Sequence, residues 1–240
     1  MNKRWFFLLI SLLPFYCQAQ LQIGIKGGLG YFWFTKPDYT NAVYHYSLPS
    51  YSLSLSIRQR SQSTFNHGIE IEYTQRAFGV KSATGGLSGG NVYDFSYTVD
   101  NLYLHFQPQF VFGSRLKFFV YPGIYFGALV HSELTGTNHH WLTGNPLISV
   151  TDTLHGNANS YYPHFEFGIS PGVGLELAVS SHFSITFETR FNVNLTDIAG
   201  NWQDEGHAKM MNLNANLGFA YTFRKKITES TEKSQEPAEK

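Results

Sequence analysis

Ser50-Tyr51-Ser52-Leu53-Ser54-Leu55-Ser56-Ile57-Arg58 sets Tyr51, Leu53, Leu55 and Ile57 on one face of the chain and four serines on the other. Successive side chains of an extended backbone point to opposite faces, so a strict period of two is a strand with one apolar and one polar side, and no helix produces it. After a polar turn at 61–64, Phe65, Ile69, Ile71 and Tyr73 alternate with Glu70, Glu72, Thr74 and Arg76, which completes a hairpin. The same alternation returns in Leu102, Leu104 and Phe106, in Phe118, Val120, Ile124 and Phe126, and in Phe165, Phe167, Ile169, Val173 and Leu175. Phe183, Ile185 and Phe187, then Met211, Leu213, Leu217 and Phe219, and Ile23, Ile25, Leu29 and Tyr31 at the start complete eight predicted strands.

Most of these strands reach the roughly 9–11 residues that a tilted strand needs to cross a bilayer. Their connections alternate in length. Those at 61–64, 113–115 and 180–182 are short, and those at 35–49, 80–96, 131–160 and 197–208 are long. Tight turns at one rim and long loops at the other characterise outer-membrane barrels. The polar face carries Glu, Arg, Asn, Ser and Gly, too little bulk to fill a dry core, so it is assigned to the lumen and the apolar face to lipid. The glycines on that face make room for inward Tyr103, Tyr121 and Tyr125. Two aromatic girdles are expected: Tyr31, Trp33, Tyr51, Tyr73 and Tyr97 towards the loops, and Phe65, Phe110, Phe112, Phe118, Phe183, Tyr221 and Phe223 towards the turns. The predicted fold is an all-β, eight-stranded antiparallel up-and-down transmembrane β-barrel. Pro108, Pro122 and Pro171 lack the amide donor a ladder needs and are expected to mark bulges or ends of regular pairing.

Composition supports this class. Charged residues make up 14% of the chain and aromatics 17%, with Lys+Arg and Asp+Glu equal at 17 each, which excludes a disordered chain and a nucleic-acid binder acting through a net basic surface. Lys3 and Arg4, the apolar stretch from Trp5 to Tyr16, and Ala19 before Gln20 read as a secretory signal peptide over residues 1–19. Cleavage there removes Cys17, the single cysteine, so neither disulfides nor thiolate metal sites are expected. The barrel is expected over 20–223. The charged, Ser/Thr-rich residues 224–240 are expected to form a disordered periplasmic tail, with both termini periplasmic.

Two stretches carry a family resemblance. Asn101 to Val130, with Leu102-Tyr-Leu-His-Phe-Gln-Pro108 and Phe118-Phe-Val-Tyr-Pro-Gly-Ile-Tyr-Phe-Gly127, and Pro171 to Ile198, with Gly172-Val-Gly-Leu-Glu-Leu177, resemble the PorT-like outer-membrane barrels of Bacteroidota. The resemblance implies an integral eight-stranded outer-membrane protein and brings no secretion role with it. Gln107 before Pro108 and the long 131–160 connection depart from the pattern.

By parity Lys26, Glu70, Glu72, Arg76, His105, Glu166, Glu176, Glu188 and Arg190 face inward. Glu70 and Glu72 lie roughly 7 Å apart along one face, a spacing open to paired-carboxylate acid/base work. An ion and hydrogen-bond network filling the lumen, with Ser52, Ser54 and Ser56 as partners, is the favoured reading, because buried charges persist when paired and an eight-stranded interior is only just wide enough for its own side chains. His131, His139, His140 and His155 share one connection without metal-ligand spacing. No cofactor, metal centre or catalytic residue is therefore assigned. Tyr44, Tyr46, Tyr93, His139, His140, Trp141, Tyr161 and Trp202 form a candidate loop binding surface. The expected partners are outer-membrane lipid and an envelope protein or extracellular ligand at the loops. The expected role is that of a non-catalytic scaffold or binder. A lipid-modifying enzyme on the same barrel is the contrasting reading, and a secreted soluble ligand-binding barrel is a third.

Overall fold

Strict alternation along each segment produces strands almost without interruption. The computed structural model describes residues 20–34, 43–60, 64–86, 89–142, 149–157, 164–196 and 209–223. Twelve segments follow in order: β1 (Gln20–Phe34), β2 (Val43–Ser47), β3 (Ser50–Arg60), β4 (Phe65–Gly86), β5 (Gly89–Gly113), β6 (Leu116–Tyr121), β7 (Ile124–Leu142), β8 (Ser149–Asn157), β9 (Phe165–Ile169), β10 (Gly172–Ala178), β11 (Phe183–Asn194) and β12 (Met210–Phe223). Residues 1–19 and 224–240, assigned above to a signal peptide and a tail, lie outside the described residues, as does the 197–208 connection.

All pairings are antiparallel, and they close on themselves. β1 pairs with β12 from Leu21↔Phe223 to Phe34↔Met210, and on its other edge with β3. Because β2 continues β3, β6 runs into β7, and β8, β9 and β10 follow one path, the segments form eight staves in a ring. Closure leaves no free edge within the ring, where each stave is hydrogen-bonded on both sides, a requirement for any sheet whose outer face meets hydrocarbon.

The pleat is inverted relative to a soluble protein. On β3, Leu53 is 56% exposed and Leu55 50%, whereas the intervening Ser54 is 6% exposed and Arg58 4%. Tyr31, Trp33, Tyr51 and Tyr73 stand outward towards one rim, and Phe65, Phe110, Phe112, Phe118, Phe183 and Phe223 towards the other. Tyr97 does not join them. It is 7% exposed inside the ring, stacked on Phe78 with centroids 5.1 Å apart, because its odd number gives it the parity of inward Tyr103 and His105.

Two of the expected long loops are strand instead. β4 and β5 pair without a break from Phe65↔Phe110 to Gly86↔Gly89, taking in most of 80–96, and β7 and β8 pair from Glu133↔Asn157 to Trp141↔Ser149 within 131–160. With β2 on β4, they raise a sheet of β2, β4, β5, β7 and β8 above one rim. A register shift at Asp100/Asn101 lets β7 change parity as it leaves the ring.

The prolines fall in one row. Phe106↔Ile124 and Phe110↔Val120 place Pro108 directly across from Pro122, and Ile124↔Ile169 with Tyr121↔Gly172 place Pro171 across from Pro122 on its other side. Three missing amide donors on adjacent staves interrupt the ladder, which is why β6 stops before β7 and β9 before β10. Pro108 itself stays within β5, paired to His67 of β4. Ser170 N donates to the Gly123 carbonyl at 2.8 Å and Phe191 N to the Pro171 carbonyl at 2.9 Å, which holds the seam closed.

Leu217 stands on the outer face, 56% exposed, opposite Gly27 near the middle of β1. Leu217→Arg is expected to destabilise the barrel by about 2–4 kcal/mol when inserted in a bilayer. Equilibrium urea unfolding in liposomes checks this, and an unchanged midpoint would place that face away from lipid.

Candidate functional site

Three charged layers and an apolar cap fill the lumen. The central layer forms around Arg190 on β11, which has no exposed surface. Its Nη2 lies 2.6 Å from Glu70 Oε1 and 2.7 Å from Glu188 Oε1, and its Nη1 lies 2.5 Å from Glu72 Oε2. Lys26 Nζ bridges Glu70 at 2.5 Å and Glu188 at 2.7 Å, and Arg58 Nη2 reaches Glu188 at 3.2 Å. Three cations therefore meet three carboxylates. Tyr121 donates to Glu188 at 2.6 Å, Thr74 to Glu72 at 2.6 Å and Gln107 to Glu70 at 3.2 Å, supplying acceptors with donors that water would otherwise provide.

Towards the raised sheet, Arg76 Nη2 pairs with Glu166 Oε1 at 2.6 Å while Tyr103 donates to Glu166 Oε2 at 2.8 Å. The Arg76 guanidinium lies 5.6 Å from the Phe32 ring centroid and 5.7 Å from that of Tyr103. Towards the turns, Arg60 pairs with Glu176, and Gln22 donates to Ser184 at 3.1 Å and to Glu176 at 3.5 Å. The rings fit because glycines on the adjoining staves lack a Cβ: Tyr103 lies over Gly127, Tyr125 over Gly168, Tyr121 over Gly172 and Phe119 over Gly174.

Above the Arg76 layer the lining changes character. Phe32, Phe78, Val80, Tyr97, Val99 and Met210, none more than 7% exposed, close the lumen with an apolar cluster, and Phe95, Leu129 and Leu134 pack against it. The sequence reading hides this cap because it gives Val80 to a loop and Tyr97 to the outer girdle.

The structure brings all nine inward residues named from sequence into the lumen: Lys26, Glu70, Glu72, Arg76, His105, Glu166, Glu176, Glu188 and Arg190 are each 4% exposed or less. Arg58, Arg60 and Lys117 share the inward parity of their strands and were missed. His105 joins Ser170 through Nδ1 at 3.3 Å and faces Glu72 through Nε2 at 3.6 Å. This resembles a nucleophile–base–acid line in outline only. Arg190 Nη1 also lies 3.2 Å from His105 Nε2, and neither Ser170 nor His105 has any exposed surface to meet a substrate.

Three side chains of the candidate loop surface are described, and they divide between the two faces of the raised sheet. Tyr93 lies on the lumen side of the raised sheet, 5.6 Å from Phe95 between centroids, and accepts a hydrogen bond from Asn91 at 3.2 Å. His139, opposite Val92, has the other parity. Tyr46 sits on the outer face, where its ring lies over Gly79 and its hydroxyl donates to Asp94 at 3.1 Å. Lys81 pairs with the same carboxylate at 3.1 Å. That bond holds the Lys81 ammonium above its ordinary range, while burial and then Asp94 push the Tyr46 phenol up. Tyr44, His140 and Trp141 are strand residues, at register positions opposite Lys81, Asn91 and Gly90. Tyr161 and Trp202 lie outside the described residues. Among the described residues, no group of three or more His, Cys, Asp or Glu is arranged to hold a metal ion.

Residues 17–200 match the family described as outer membrane protein beta-barrel domain. The chain belongs to that family. No curated protein matches it. Among solved structures, it is similar to the outer membrane protein OprG from Pseudomonas aeruginosa (13% identity, 87% of this chain and 98% of that one, TM-score 0.45). It is also similar to Ail, the attachment invasion locus protein of Yersinia pestis (12%, 86% and 99%, TM-score 0.41), and to Neisserial surface protein A (13%, 85% and 97%, TM-score 0.40).

Removing Arg190 leaves Glu70, Glu72 and Glu188 facing two cations. Arg190→Met is expected to cost about 3–5 kcal/mol. Adding Glu72→Gln to that variant is expected to recover part of the loss, because one uncompensated charge goes with it. Unfolding of the single and double variants tests this, and a strictly additive double variant would deny the coupling.

Proposed function

We propose that this family member is a closed, non-catalytic outer-membrane barrel whose raised sheet projects from the cell surface to hold an envelope protein or an extracellular ligand, with its turn rim and both termini in the periplasm. The observation that carries the reading is one-sided extension. β4, β5 and β7 run for 22, 25 and 19 residues, whereas a crossing needs roughly 9–11, and the surplus lies entirely at one rim. Ordered backbone well beyond the bilayer serves contact rather than insertion. The resemblance to PorT-like barrels fits a scaffold of this kind.

The filled lumen supports the same reading. Paired charges at the centre and an apolar cluster above them fill the described lumen, which favours contact over transport through the centre. The burial of Ser170 and His105, away from a rim where an acyl chain or headgroup enters, supports the non-catalytic reading.

Crosslinking in native membranes, followed by identification of the attached species, tests the proposal. Trimming the β7–β8 hairpin from 134 to 156 to a short turn is expected to keep the heat-dependent gel mobility of a folded barrel while losing the captured partner. Unchanged capture by the trimmed, folded protein would contradict the assignment of binding to this sheet.

A further inference from the structure

At the turn rim the lumen opens into a cup of about 500 Å3, bounded by Arg58, Arg60, Lys117 and Glu176, with Gln109 and Phe119 among its walls. Its margin at Thr64 and Gly113 is exposed, so solutes reach it from the turn side. The charges inside do not balance. Every lumen carboxylate has a cation, and the three deeper cations and Arg76 are used up by Glu70, Glu72, Glu188 and Glu166. Glu176 is taken by Arg60 and Gln22. Lys117 stands opposite Glu176 in the β6–β10 register, yet no ion pair or hydrogen bond reaches its ammonium among the described residues. Arg58 reaches inward to Glu188. It is 4% exposed, with its guanidinium 5.3 Å from the Phe119 centroid, and its Nε has no hydrogen-bond partner.

A surplus ammonium at the edge of a polar cavity asks for a negatively charged oxygen as its complement. From the cup with its unmatched Lys117, we infer that the barrel binds a small oxyanion there, a phosphate- or carboxylate-bearing group entering at the turn rim. Lys117 provides the charge, and Arg60 lines the same cup. Gln109 and Phe119 complete the wall. The inference is independent of what the raised sheet holds, because the cup lies at the opposite rim.

Inorganic phosphate and acetate, titrated separately into the purified full-length barrel in non-ionic detergent and followed by backbone amide shifts of β3 and β6, provide the test. Saturable binding of at least one anion is expected. Lys117→Gln is expected to weaken it by about tenfold or more, and Lys117→Arg to restore it. Arg115→Gln, which removes an exposed cation from the neighbouring turn, is expected to leave it unchanged. Because Lys117 has no partner to strand, the Gln variant should fold, and heat-dependent gel mobility verifies that. Retention of binding in lipid nanodiscs would identify a soluble anion as the occupant, and loss there with retention in detergent would identify a lipid headgroup. A response that never saturates, or one that Lys117→Gln leaves intact, would overturn the inference.

Discussion

A guanidinium stripped of water must find carboxylates at hydrogen-bond distance, and at Arg190 that demand organises the barrel. Desolvation costs several kcal/mol per ion even after relaxation, so the charge persists only where its partners are positioned in advance. Those partners come from β4 and from β11 itself, with Lys26 of β1 and Arg58 of β3 tying the acids together from the other side. Residues 118 and 120 apart in sequence meet across the lumen. Such contacts exist only when the ring is closed, so lumen chemistry and sheet closure depend on each other.

The outer face obeys the opposite rule. In hydrocarbon an unpaired backbone group costs several kcal/mol, and a leucine costs nothing, so the wall shows lipid its side chains and hides its amides. The proline row strains this accounting: three donors are absent on neighbouring staves, and an apolar groove of about 530 Å3 opens over the seam, lined in part by Pro122, Pro171 and Phe191. The ladder resumes on both sides in the same register, which keeps the defect local.

Much of this was legible because lipid leaves an imprint on sequence. Where a strand crosses the bilayer, the apolar row is compulsory, and Leu53, Leu55 and Ile57 announce it. Beyond the bilayer no such row is needed, so Lys81 to Gly86 and Ser132 to Leu142 carry little alternation and read as loop although they are strand. The same reasoning explains the cap: Phe78, Val80 and Tyr97 lie above the lipid, where inside and outside are no longer apolar opposites. Arg58, Arg60 and Lys117 were within reach of parity, since each shares the face of residues already assigned inward. The approach of His105 to Ser170 and the alignment of Pro108, Pro122 and Pro171 were not, because both depend on register between staves, which no single strand records.

The central claim is the inversion of the pleat within a membrane. Without Cys17 the chain has no cysteine, so nitroxide labels placed singly at 53, 54, 55, 56 and 57 report each position in turn. In reconstituted bilayers, labels at 53, 55 and 57 should be mobile and relaxed by oxygen dissolved in the lipid, while those at 54 and 56 should be immobile and shielded from both oxygen and a water-soluble nickel complex. Period-two accessibility with the opposite phase, or none at all, would contradict the account.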